Sequence, residues 1–259
     1  KKMIENEDYE ELEEWMKNID MVLVVLDARA PYSCLNQTIE KMCNGKQICY
    51  CFNKTDLASP IETEKWMNYF KSQGKLCVKI DATKSSSRKI VEKVVSDTIE
   101  KKKSSSSRIS LVKKFRVAIV GVPNTGKSTL LNTLAGNYVV KTGNKAGVTK
   151  NNTWIKIKNN IELMDNAGTL EPKFSDEITA ENLALLGSIN DAIIDEVELA
   201  TTLVSRLNIL APDTIQARYG IEQLSEDNLD VLNQIGKVRG LMLKGGEVDL
   251  VRASLTLVG

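Results

Sequence analysis

Short apolar runs broken by polar turns alternate along the chain with longer stretches in which apolar residues recur every three or four positions. The runs "MVLVVLDA" (21–28), "QICYCF" (47–52) and "KLCVKI" (75–80) predict strands in the first half. "FRVAIV" (115–120), "TWIKIK" (153–158) and "IELMD" (161–165) predict three more. Helical spacing falls between them at 61–73, 85–101 and 127–136. A parallel neighbour is reached only through a crossover, so this alternation predicts a mostly parallel sheet with helices on both faces. From residue 175 the strand runs cease. Val197, Ala200, Val204 and Leu207 recur at helical spacing, as do Val248, Val251, Leu255 and Val258. The pattern therefore predicts an α/β domain over 1–174 and a small all-helical domain over 175–259.

Composition narrows the setting. With 259 residues, 42% hydrophobic and 27% charged, the chain suits a soluble globular protein. Its longest apolar run, Met21 to Leu26, is far too short to span a bilayer, and the acid-rich opening has no signal-peptide pattern. All five cysteines fall in the first 77 residues and none is spaced C-x-x-C, which predicts reduced core thiols. These features predict a cytoplasmic monomer (or one of an organellar matrix, for a eukaryotic source) with no membrane contact.

Charge is unevenly placed. Residues 175–259 carry 6 basic and 14 acidic side chains, a net of −8, against +9 for the remainder. Between Lys101 and Arg116 stand seven basic residues and no acidic one. A flexible basic linker over 101–114 is predicted, with a strap touching nucleic acid as the alternative reading.

The strongest chemical signal is "VAIVGVPNTGKSTLLNTL". Gly121-x-x-x-x-Gly126-Lys127-Ser128 follows an apolar strand and opens a helix, the setting a phosphate loop requires. Its glycines permit the tight curl that turns backbone N–H groups, including those of Thr125 and Thr129, toward phosphates. Lys127 would reach the β- and γ-phosphates and Ser128 would ligate magnesium. At the end of a later strand, "IELMDNAG" offers Asp165 to a magnesium-bound water and the Gly168 N–H to a γ-phosphate. Between them Thr149 stands where a switch threonine completes the magnesium shell.

A base reader lies upstream. Asn53-Lys54-Thr55-Asp56 follows the second strand, where Asp56 can accept from N1–H and the exocyclic amine of guanine while the Lys54 stem lies along the ring. Adenine lacks that pair of donors and would leave the carboxylate unpaired, a mismatch of about 1–3 kcal/mol. "IDATKS" adds Ala82, whose backbone N–H is expected to meet the guanine O6, and Thr83 beside it. In the usual GTP-binding order the phosphate loop precedes the guanine loop. Here it follows, and the usual order returns if the chain is rotated to begin at Phe115. Because strand neighbours rather than chain order set a sheet's core, a circularly permuted P-loop GTPase domain is predicted.

These stretches resemble the circularly permuted GTPases that assist large-subunit ribosome assembly, the YlqF/RbgA group. "DARAPYS" (27–33), "NKTD" (53–56), "GVPNTGKST" (121–129), "GVTKNNTW" (147–154), "DNAG" (165–168), "PKF" (172–174) and "KVRGLMLKGG" (237–246) carry the resemblance. It implies a GTP/GDP-dependent switch that hydrolyses GTP on the large ribosomal subunit, with a helical domain that meets its rRNA. Lys237, Arg239 and Lys244 are the candidate RNA contacts. The chain departs from the group in having no histidine and in reading Asp165-Asn166-Ala167-Gly168 where relatives read Asp-Thr-Pro-Gly. Thr169 stands where a Ras-like enzyme places its water-orienting glutamine, so intrinsic hydrolysis is expected to be slow and to wait on a partner. Asn124 resembles the loop asparagine of potassium-activated GTPases, which implies a potassium ion bridging the β- and γ-phosphates beside Mg2+. The alternatives are a nucleotide-gated RNA-binding module with little hydrolysis and a regulatory GTPase acting on a protein partner.

Overall fold

Strand β1 (Met21–Asp27) is buried along all seven residues, the signature of a central parallel strand covered on both faces. The computed structural model describes residues 16–43, 45–105, 114–136, 153–158, 160–165, 176–189 and 195–259. Around β1 lie β2 (Gln47–Asn53), β3 (Leu76–Lys79), β4 (Phe115–Val120), β5 (Thr153–Lys158) and β6 (Ile161–Asp165), in the spatial order β3-β2-β1-β4-β6-β5. All pairs are parallel except β5 with β6, which is antiparallel at the sheet's edge.

Helices fill the crossovers: α1 (Gln37–Met42), α2 (Pro60–Ser72), α3 (Ser85–Ser105) and α4 (Lys127–Ala135). Alternation along the strands assigns the two faces. Met21, Leu23, Val25, Cys49 and Cys51 share one core with Val91 and Val95 of α3 and Leu130, Leu131 and Leu134 of α4. On the other face the rings of Tyr50 and Phe52 meet Phe70 of α2 edge-on at 5.3 and 5.1 Å. Helix α2 starts where it does because Pro60 supplies the first helical φ and Ser59 Oγ accepts the Glu62 N–H at 3.4 Å. All five cysteines are buried and unpaired.

The six predicted strands all form. The linker starts later than expected, because α3 continues through Ser105 instead of ending near 101. Its basic residues are partly neutralised. Lys102 lies 3.9 Å from Asp20 Oδ1, and Lys114 pairs with Glu162 at 2.5 Å.

Residues 175–259 form a second compact unit. It contains α5 (Glu177–Leu185), α6 (Glu196–Leu210), α7 (Thr214–Tyr219), α8 (Asn228–Val238) and α9 (Leu250–Val258). Its acidity has a local cause. Asp176, Asp195, Asp227 and Asp249 each cap a helix N-terminus by accepting backbone N–H groups, so four of its 14 acids are helix caps. Ala200, Val204, Ile215, Tyr219, Val231, Leu232 and Ile235 form its core, with Val197 and Leu207 packed against them. Helix α9 presents a different face from the one its periodicity suggested. Ala253 and Ser254 are buried, while Val251 and Leu255 are 46% and 54% exposed.

Candidate nucleotide site

The carboxyl ends of the parallel strands lie along one edge of the sheet, and the polar motifs leave from that edge. In the β1–β2 register Asp27 stands opposite Asn53, and in β1–β4 Val24 stands opposite Val120. The loop that follows β4 therefore curls beside the loop that follows β2. This is where open α/β sheets bind ligands.

The curl at 121–126 needs its glycines. A Cβ on Gly121 would stand 2.5 Å from the Val25 carbonyl oxygen of the neighbouring strand. At Gly126 the backbone is left-handed (φ +95°), and a Cβ would lie 2.3 Å from Asn53 Nδ2. That approach leaves room for a bond, since Asn53 Nδ2 donates to the Thr125 carbonyl at 2.8 Å. The Thr125 hydroxyl, fully buried, donates to the Val122 carbonyl at 3.0 Å and closes the loop on itself. Asn124 is exposed at the loop's apex in a left-handed conformation (φ 58°), which Asn tolerates better than most residues. Helix α4 then begins at Lys127, presenting free N–H groups and the positive end of its dipole to the loop's concavity.

Lys127 is half-buried and its ammonium donates to the Val122 carbonyl at 2.7 Å. No carboxylate among the described side chains pairs with it, and burial pushes its pKa down to about 8. Ser128 and Thr129 follow, both exposed in the first turn. Asp165 ends β6, whose parallel register with β4 brings it to the same edge. Thr149 and Gly168 lie outside the described residues.

The segment Asn53-Lys54-Thr55-Asp56 meets this loop at several points. Asn53, 2% exposed, also accepts the Ala82 N–H on Oδ1 at 2.8 Å, so one amide ties three loops together. The Ala82 N–H, expected to meet a guanine O6, is thus engaged by Asn53 in the nucleotide-free protein. The next N–H, that of Thr83, donates to Asp81 Oδ1 at 3.1 Å. Lys54 reaches across to the Asn124 carbonyl at 2.6 Å. Asp56 stands exposed at the lip.

Two further residues join the site that motif reasoning left unassigned. Asp27, 1% exposed, receives Lys54 Nζ at 3.0 Å and is gripped by Arg29 through Nε at 2.9 Å, NH2 at 2.7 Å and the backbone N–H at 3.1 Å. Burial pushes the Asp27 carboxyl up, but the Arg29 and Lys54 hydrogen bonds outweigh it and hold the group below the usual carboxylate range. The available signal was the position of "DAR" at the end of a buried strand beside the guanine-loop strand.

In the second unit, Lys237, Arg239 and Lys244 are all exposed. Lys237 lies in the last turn of α8, Arg239 caps that helix with its guanidinium 5.1 Å from the Tyr219 ring centre, and Lys244 sits in the turn before Gly245-Gly246. Gly236 lets this turn pack on α8, because a Cβ there would stand 2.2 Å from Val248 Cγ1.

Comparison with known proteins agrees with this geometry. A family model described as "50S ribosome-binding GTPase" matches residues 116–235. The Ribosome biogenesis GTPase A of Priestia megaterium is 38% identical over 241 residues, covering 91% of this chain and 83% of that protein. Its counterpart in Bacillus cereus is 34% identical over 245 residues, covering 93% and 82%. The crystal structure of GNP-bound YlqF from T. maritima superposes with a TM-score of 0.66 at 26% identity, covering 96% of this chain and 90% of that one.

Proposed function

Because this chain belongs to the ribosome biogenesis GTPase A (YlqF/RbgA) family, we propose that it is a GTP-hydrolysing switch acting on the large ribosomal subunit, with the nucleotide held by residues 1–174 and rRNA met by 175–259. That it binds and hydrolyses GTP in ribosome assembly follows from the family. The observation that carries the finer reading is the pair of bonds from Asn53 to the Thr125 carbonyl (2.8 Å) and from Lys54 to the Asn124 carbonyl (2.6 Å). They join a guanine reader to a phosphate loop lying some 70 residues further along the chain, the reverse of the usual order.

In this reading Asp56 accepts from the guanine N1–H and amine, while the Lys54 stem flanks the ring. The α4 N-terminus and the loop N–H groups hold the α- and β-phosphates. The Lys127 ammonium leaves the Val122 carbonyl for the β- and γ-phosphate oxygens and offsets charge that grows there during transfer to water. Ser128, Thr149 and, through a water, Asp165 are the residues that would hold Mg2+, which when bound neutralises phosphate charge. Gly168 would offer its N–H to the γ-phosphate. Asn124, exposed at the loop apex, would contribute its side-chain oxygen to a potassium ion; no arginine stands in 141–153 to serve instead. With Thr169 in the glutamine position, the unaided rate is slow and the ribosome raises it. Lys237, Arg239 and Lys244 supply a local basic face for rRNA on an otherwise acidic unit. The protein works as a monomer in the cytoplasm or an organellar matrix. Among the described residues no helix is long and apolar enough to cross a membrane.

Sedimentation with large ribosomal subunits tests the reading. Protein loaded with a non-hydrolysable GTP analogue should co-sediment, and GDP-loaded protein should do so less. No co-sedimentation in either state would overturn the assignment. Equal co-sedimentation in both would favour a plain RNA-binding module.

A further inference from the structure

A buried acid, Asp27, lies beneath Lys54. Lys54 carries a flexible four-carbon stem, yet in this structure its ammonium has two fixed partners. One is the Asn124 carbonyl of the phosphate loop at 2.6 Å; the other is Asp27 Oδ2 at 3.0 Å. The Asp27 carboxylate cannot rotate freely, because Arg29 grips Oδ1 through Nε (2.9 Å) and Oδ2 through NH2 (2.7 Å). Its backbone is fixed as well, since Asp27 closes β1 opposite Asn53 and the Ala28 N–H donates to the Asn53 carbonyl at 2.9 Å. The result is a chain of contacts from Arg29 through Asp27 and Lys54 to Asn124. A lysine held at its head leaves its stem lying where a purine face would rest, and less conformational freedom is lost when the base arrives.

We propose that Asp27, locked by Arg29, is a positioning residue for guanine nucleotide: through Lys54 it presets both the stem that flanks the base and the phosphate-loop turn on which the lysine head rests. This rests on the reading that Lys54 and Asn124 belong to one nucleotide site. Asp27 is 1% exposed and lies covered by Arg29 and Lys54, so its carboxylate is not open to a ligand. Its influence must therefore pass through Lys54, and that requirement distinguishes a positioning role from a general contribution to folding.

A double-mutant cycle reads the difference. The affinity for a fluorescent GDP analogue is measured for wild type, Asp27→Asn, Lys54→Met and the double variant, each checked for folding by a nucleotide-free melt. With Lys54 present, Asp27→Asn should weaken binding roughly tenfold, a typical size for charges coupled through a shared contact. In the Lys54→Met background the same change should alter affinity less than about twofold. If Asp27→Asn fails to fold, Arg29→Lys carries the same cycle, since it keeps a cation beside the buried carboxylate but cannot grip both of its oxygens as the Nε and NH2 of Arg29 do. Its effect should likewise vanish without Lys54. Losses that add in the double variant overturn the relay while leaving the nucleotide site intact. Failure of the wild type to bind GDP overturns the site reading and the relay with it.

Discussion

Replacing Asn53 with alanine tests how the two loops are joined. The side chain is 2% exposed and makes two bonds, donating to the Thr125 carbonyl and accepting from the Ala82 N–H, both at 2.8 Å. Alanine removes both and fills neither place. A buried polar group left without a partner costs about 1–3 kcal/mol. The Ala82 N–H lies in a residue that is itself 2% exposed, so it should suffer most of that penalty. The Thr125 carbonyl belongs to a residue that is 0% exposed, and it too is left without its donor. Together the change should destabilise the nucleotide-free protein by about 2–4 kcal/mol. In a unit of this size, that corresponds to a fall in melting temperature of roughly 5–15 °C. Urea denaturation followed by circular dichroism measures it directly. GDP affinity should fall as well, because the guanine reader is no longer fixed to the phosphate loop. A loss below about 0.5 kcal/mol, within the range of an ordinary surface change, would show that Asn53 does not bind the loops together.

Other outcomes follow from the same geometry. Asp56→Asn should exchange guanine for xanthine preference, since the amide offers a donor where xanthine O2 needs one; unchanged GTP affinity would remove Asp56 from the base site. Lys127 has a pKa of about 8 in the nucleotide-free protein, and a bound triphosphate favours its charged form. Above pH 8 binding must therefore restore a lost proton, so GTP affinity should drop about tenfold per pH unit there and level off below it. Calorimetric titrations at pH 9 in two buffers would reveal the proton uptake, whereas constant affinity from pH 7 to 9.5 would contradict it. Replacing Lys237, Arg239 and Lys244 together with alanine should weaken subunit binding and flatten its salt dependence by up to about three in log–log slope. An unaltered slope would remove these residues from the RNA face.

The strands, the phosphate loop and the permuted order were legible because each rests on local signals: apolar runs of strand length, glycines at fixed offsets, a motif at a strand's end. What escaped depends on contacts between distant segments. Asp27 resembles any charged residue ending a strand, and only the parallel register that sets it opposite Asn53 brings it under Lys54. The Ala82 N–H looked free because nothing in the sequence shows that the Asn53 amide folds back upon it. In α9 the spacing of Val251 and Leu255 indicated a helix, but the buried positions are the small Ala253 and Ser254, which allow close packing. Large apolar residues mark a face only when the neighbouring element has room for them. The short α1 was missed for a related reason, since at six residues it has too few turns to show a period.

The central claim is that two loops, brought together by a permuted chain, form a GTPase whose turnover the ribosome controls. The most direct measurement is GTP hydrolysis with and without large ribosomal subunits, in potassium and in sodium at equal ionic strength. The account predicts slow turnover by the protein alone and a rise of roughly tenfold or more with subunits in potassium. The rise should be smaller in sodium and lose its potassium dependence in Asn124→Ala. Equal rates with and without subunits, in both salts, would contradict it.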